Sequence, residues 1–70
     1  MTSSWSYRVL RHEDGMLALH EVYVDDAGAP TGCTTEPAKV LSDDLEGLRW
    51  VLERMAEALQ KRVLDYGSFP

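Results

Sequence analysis

The chain has 70 residues, with 12 acidic against 7 basic side chains and a formal net charge of −5. That length holds one domain, residues 1–70 with an ordered core over about 5–66, and excludes a barrel or doubly wound catalytic frame. The acidic balance disfavours the phosphate neutralisation on which nucleic-acid binding depends, and no run approaches the roughly 20 apolar residues that span a bilayer.

The segment Met1–Arg8 has no apolar signal-peptide core and the single Cys33 cannot close an internal disulfide, so a cytoplasmic protein is expected. A core this small is commonly supported by a disulfide, a metal or a partner subunit.

Trp5–His12 and Met16–Val24 are rich in aromatic and β-branched residues and read as two strands. Asp14-Gly15 between them signals a two-residue turn, because both central residues of a type I′ turn need positive φ. The register that follows sets Arg8 opposite Glu21, Val9 opposite His20 and Tyr7 opposite Val22. One sheet face then carries Trp5, Tyr7, Val9, Ala18, His20, Val22 and Val24. The other carries Arg8, Leu10, His12, Leu17, Leu19, Glu21 and Tyr23. Both are apolar, and one helix covers one face, so the second meets another subunit or is overlaid by a chain terminus. Leu17, Leu19 and Tyr23 are interface candidates on that ground.

Asp25–Pro30 is a second turn punctuated by Gly28 and Pro30, and Thr31–Thr35 reads as a short third strand that Pro37 ends. Ala38–Leu41 suits either an edge strand or a connector. A helix is predicted over Asp43–Lys61, opened by Asp43 with Glu46 as a variant capping box and Ser42 as a competing N-cap. Leu45, Leu48, Leu52, Met55 and Leu59 are spaced 3, 4, 3, 4 and predict one stripe packed on the sheet. Trp50 falls nearly opposite, with Gly47, Arg54 and Ala58 on its side, and predicts an outward contact surface in which the small residues admit a partner backbone. The tail leaves Tyr66 and Phe69 free to cover sheet surface. The whole predicts an α+β fold: a three-stranded antiparallel sheet in β-β-β-α order, with one amphipathic helix on one face.

The polar residues give less. His12 and His20 have carboxylates nearby, but in the expected register they point to opposite faces and cannot share one ion, so no metal is expected. Cys33 reads as a small buried hydrophobe rather than a nucleophile. Gly28–Gly32 lacks the lysine and following helix of a phosphate loop, and no cofactor is implied. The most suggestive polar group is His20 beside Glu21, with Glu36 within reach.

His20-Glu-Val-Tyr-Val-Asp-Asp-Ala-Gly28, Cys33-Thr-Thr-Glu-Pro37, Ser42 before Leu45 and Leu48, and Arg62-Val-Leu-Asp-Tyr66 together resemble a family of small uncharacterised bacterial proteins. The likeness runs from Tyr7 to Tyr66. Cys33 stands where that family has Trp, Thr35 where it has Glu, and Arg62 where it has Pro. The resemblance implies a shared β-β-β-α domain and no activity. A second resemblance, through strand order and Gly32-Cys33, is to antitoxins of the HicB type, and implies a regulator that binds a small basic partner protein. The expectation drawn from the residues themselves is a non-enzymatic, self-associating protein-interaction module.

Overall fold

A computed structural model describes residues 4–69. The chain folds in the order β1 (Ser4–Arg11), β2 (Leu17–Val24), β3 (Pro30–Cys33), α1 (Leu45–Ala58), β4 (Leu64–Asp65) and a short 3-10 turn, Tyr66–Ser68. The class is α+β, but the sheet has four strands in the order β3-β2-β1-β4, and β4 runs parallel to β1. The expected three-stranded antiparallel sheet is corrected on that point. Ala38–Leu41 is a connector, tied to the sheet by Ala38 N–H donating to the Leu19 carbonyl at 2.7 Å.

The β1–β2 hairpin sits one residue away from the expected register. Tyr7 pairs with Glu21, Arg8 with His20 and Val9 with Leu19. The cause is the turn. His12 N–H donates to the Met16 carbonyl and Gly15 N–H to the His12 carbonyl, both at 2.9 Å, so three residues rather than two form the loop. Gly15 takes the left-handed conformation at φ 87°, which a three-residue loop with a bulged glycine requires as strictly as a two-residue turn does. Asp14 Oδ1 accepts from Met16 N–H at 3.0 Å and fixes the loop from within. The β2–β3 turn repeats the design: Asp25 bonds Ala29 and Gly28 through the backbone, and Gly28 has φ 82°.

Because strand side chains alternate with period two, a one-residue slip exchanges the faces of one strand against the other. Trp5, Tyr7 and Val9 share the helix face with Leu17, Leu19, Glu21 and Tyr23. Leu10 and His12 share the opposite face with His20 and Val22. Two small cores result. On the helix side Tyr7, Met55 and Ala58 are buried, with Leu19, Ala38 and Val51 packed around them. On the far side Leu10, Val22 and Leu64 are buried beneath Tyr66 and Phe69, with Cys33 alongside. The chain terminus therefore covers the second face, one of the two arrangements expected for it.

The helix starts at Leu45 with Asp44 as N-cap, its Oδ1 accepting from Gly47 N–H at 2.7 Å, so the cap lies one residue beyond the expected Asp43. Its docking also differs. Met55 and Ala58 face the sheet, while Leu45, Leu52 and Leu59 are 70, 51 and 67% exposed. The helix lies along β1, where the ring of Tyr7 fills the contact. A small Ala58 and a pliant Met55 fit against that ring, and the leucines fall about 100° round the helix from this line.

These positions separate in a stability measurement. Leu10→Ala removes a fully buried side chain and is expected to lower the free energy of unfolding by about 2–5 kcal/mol. Leu52→Ala in dilute solution is expected to stay within about 0.5 kcal/mol of the parent. Urea denaturation of both variants checks the docking; a larger loss at Leu52 would contradict it.

Candidate functional site

The register slip brings His12 and His20 together on one face. Their Nε2 atoms are 2.9 Å apart, and His20, fully buried, places Nδ1 2.9 Å from the Thr34 carbonyl oxygen. A carbonyl only accepts, so His20 Nδ1 carries a proton; in a neutral ring its Nε2 then accepts from His12 Nε2–H. The ring of Tyr66 stacks on His12 at 4.4 Å and 19°, and its hydroxyl donates to the Thr35 carbonyl at 3.4 Å. Thr34 Oγ1 donates to the Glu36 carbonyl at 2.9 Å. Four segments meet at this cluster: the two hairpin strands, the connector after β3 and the C-terminal tail. Beside it His12, Glu13, Asp14, Tyr66 and Gly67 line an open depression of about 450 Å³.

The premise that the two histidines point apart is overturned, because it rested on the two-residue turn. The chemistry they support is that of a satisfied buried polar network: both nitrogens of His20 have partners, and among the described residues no carboxylate hydrogen-bonds either ring. Among the described residues no group of three or more His, Cys, Asp or Glu side chains is arranged to hold a metal ion.

The proposed polar set His20, Glu21 and Glu36 is not assembled. His20 lies on the tail-covered face, whereas Glu21 lies on the helix face and borders an open recess together with Tyr7 and Glu36. Burial, and secondarily the Glu21 carboxylate, raise the Tyr7 hydroxyl above its usual pKa of 10.0. Cys33 packs against the Leu10 core, where burial raises its thiol pKa and keeps it in the unreactive protonated form. Arg8 reaches across to the Arg62 carbonyl at 2.8 Å; burial, then the Arg62 cation, lower its pKa.

The interface candidates divide. Ala58, at 1% exposure, is core, and its assignment to an outward surface is corrected: it turns toward Tyr7. Gly47 serves the cap, since a Cβ there would collide with the Ser42 hydroxyl and the Asp44 carboxylate. Leu19 packs into the helix-side core, while Leu17 and Tyr23 on the same face are 53 and 40% exposed. Trp50 does face outward, half exposed, with the Arg54 guanidinium 5.8 Å from its ring centre and Arg54 in turn paired with Glu57 at 2.6 Å. What the spacing did not reveal is that Trp5 and Tyr7 form the opposite wall of a groove with Trp50, Arg54, Glu57 and Lys61, of about 290 Å³. Nor did it show that the leucines of the helix lie open beside Arg49, Glu53 and Ala56.

Comparison with family models, with curated proteins and with solved structures yields no match to this chain. The site is therefore read from its own geometry, which offers two apolar surfaces, on opposite flanks of one helix, and one buried histidine clamp.

Two measurements check the polar assignments. His20→Ala strands His12 and the Thr34 carbonyl and is expected to cost about 2–4 kcal/mol, with early loss of amide protection at Leu64 and Asp65 in hydrogen exchange. For Tyr7 the sign is fixed by its raised folded-state pKa: the native state holds the proton longer than the unfolded chain, so stability present below pH 10 is lost as pH rises past that value. Tyr7→Phe is expected to show a shallower alkaline decline than the parent in thermal melts above that pH. Parallel declines would contradict the assignment.

Proposed function

We propose that this chain is a non-enzymatic protein-interaction module that acts as a homodimer through the leucine-bearing flank of its helix. The observation that carries the proposal is the exposed row Leu45, Leu52 and Leu59, seven residues apart, on a helix already docked by a different face. Seven-residue spacing keeps one stripe aligned along a partner helix. Among the described residues ten large apolar side chains are exposed against seven apolar residues buried, an imbalance that a chain of this size relieves by association.

The flanking charges favour one geometry. Arg49 and Glu53 border the stripe on the side away from the sheet. In an antiparallel pair centred on Leu52, Arg49 of one copy and Glu53 of the second differ by about 3 Å along the axis, because each residue rises about 1.5 Å. The two-fold repeats the pair, giving two reciprocal ion contacts. A parallel arrangement would turn that charged flank toward the side occupied by the other copy's sheet. The formal charge of −5 makes a nucleic acid a poor partner for the same domain.

Light scattering after gel filtration at tens of micromolar is expected to give a dimer mass, and Leu52→Glu a monomer with the parent's circular dichroism. Arg49→Glu alone is expected to weaken the dimer and Arg49→Glu with Glu53→Arg to restore it. A monomeric parent, or a dimer that ignores Leu52→Glu, would sink the proposal.

A further inference from the structure

The outer edge of β1 is paired only at Leu10 and Arg11, where β4 joins it. The preceding stretch Ser4–Tyr7 has no strand on that side among the described residues. Which backbone groups this leaves open follows from the ladder. Leu19 and Glu21 bond the segment after β3, so the even-numbered residues of β2 bond β1, and their partners there are Ser4, Ser6, Arg8 and Leu10. Trp5 and Tyr7 therefore aim their N–H and C=O groups outward. Their side chains form one wall of the groove whose other wall is Trp50, Arg54, Glu57 and Lys61. An open strand edge running beside an apolar furrow under a helix is the combination that strand addition uses, the backbone supplying affinity and the furrow specificity.

We infer that this groove takes an extended segment of a partner protein, added as a strand along Ser4–Tyr7, with one large apolar side chain in the furrow and a carboxylate beside it. The furrow, about 290 Å³, is at the small end for a ligand site and has room for one large side chain. Its two Trp rings and Tyr7 select an aromatic or large aliphatic residue. The rim selects charge. Glu57 is engaged with Arg54, while Lys61 has no ion-pair partner among the described residues, so the furrow presents a net cation in an otherwise acidic chain. An acidic segment complements it and a basic one does not. The surface lies on the flank of the helix away from the leucine row, so the site does not depend on the dimer proposed above.

The test uses the full chain and a blocked pentapeptide, acetyl-Glu-Val-Phe-Val-Glu-amide, whose Phe and Glu side chains share a face when extended. Binding with a Kd of about 10–100 μM is expected, seen as a change in tryptophan fluorescence and as amide shifts confined to Ser4–Tyr7 and the groove side of α1. Trp50→Ala, at a half-exposed position that leaves the fold intact by circular dichroism, is expected to weaken it at least about tenfold. N-methylation of the peptide amides that would face β1 is expected to abolish it, and exchange of both Glu for Lys to weaken it severalfold. Absence of binding, equal affinity for the N-methylated peptide, or shifts at the leucine row would overturn the inference. So would a Trp50→Ala variant that loses the dimer and keeps the peptide, since the edge would then belong to a second copy. Leu52→Glu should leave peptide binding unchanged, which keeps the two proposals separable.

Discussion

The backbone pair between His12 and Met16, closing a three-residue loop over a left-handed Gly15, decides the rest of the structure. It sets the register of the central hairpin, and the register decides which side chains share a face. With it, Leu10, His12, His20 and Val22 converge on one side, while Tyr7, Val9 and Leu19 converge on the other. A loop one residue shorter would turn His12 away from His20 and place His20 opposite Val9.

Each face is then closed by a different device. The far side holds a buried polar ring: His20 needs partners for both nitrogens, and finds them in the Thr34 carbonyl and His12. The tail supplies the cover, with Leu64 entering the core, Tyr66 stacking on His12 and Phe69 packing over Leu10 and Val22. The helix side is closed by Met55 and Ala58 on Tyr7, a narrow contact centred on β1 with Leu19 of β2 and Ala38 of the connector at its margin. That narrowness leaves both flanks of the helix open, one lined by leucines and the other by tryptophans and charge, and it is why the domain carries apolar surface out of proportion to its core.

Much of this was legible from residue type and local spacing. The two long strands, both Gly-bearing turns, the single helix and, to within one residue, its acidic cap follow from signals within a few residues of each other, and the unplaced Tyr66 and Phe69 marked the tail as one of two covers for the second face. What escaped depended on partners distant in the chain. Asp14-Gly15 suits two loop lengths equally well, since both need a left-handed glycine, and nothing local chooses between them. The two-residue β4 has no pattern of its own and exists because Leu10 and Arg11 offer an edge. The 3, 4, 3, 4 leucine spacing marks a stripe that wants burial, but it does not say against what; here the chain's own sheet takes the adjacent face, centred on Met55 and Ala58. The histidine pair was hidden by the register alone, and the groove by its need for Trp5, Tyr7 and Trp50 from two elements.

If the leucine row is a self-contact, proximity of identical residues across a two-fold axis is its direct signature. In a Cys33→Ser background, Leu52→Cys should oxidise to a disulfide-linked dimer under mild conditions, because the antiparallel axis passes beside that position. Trp50→Cys, on the other flank, should remain monomeric on the same denaturing gel. Equal cross-linking at the two positions, or none at Leu52→Cys in a solution shown by light scattering to be dimeric, would contradict the account.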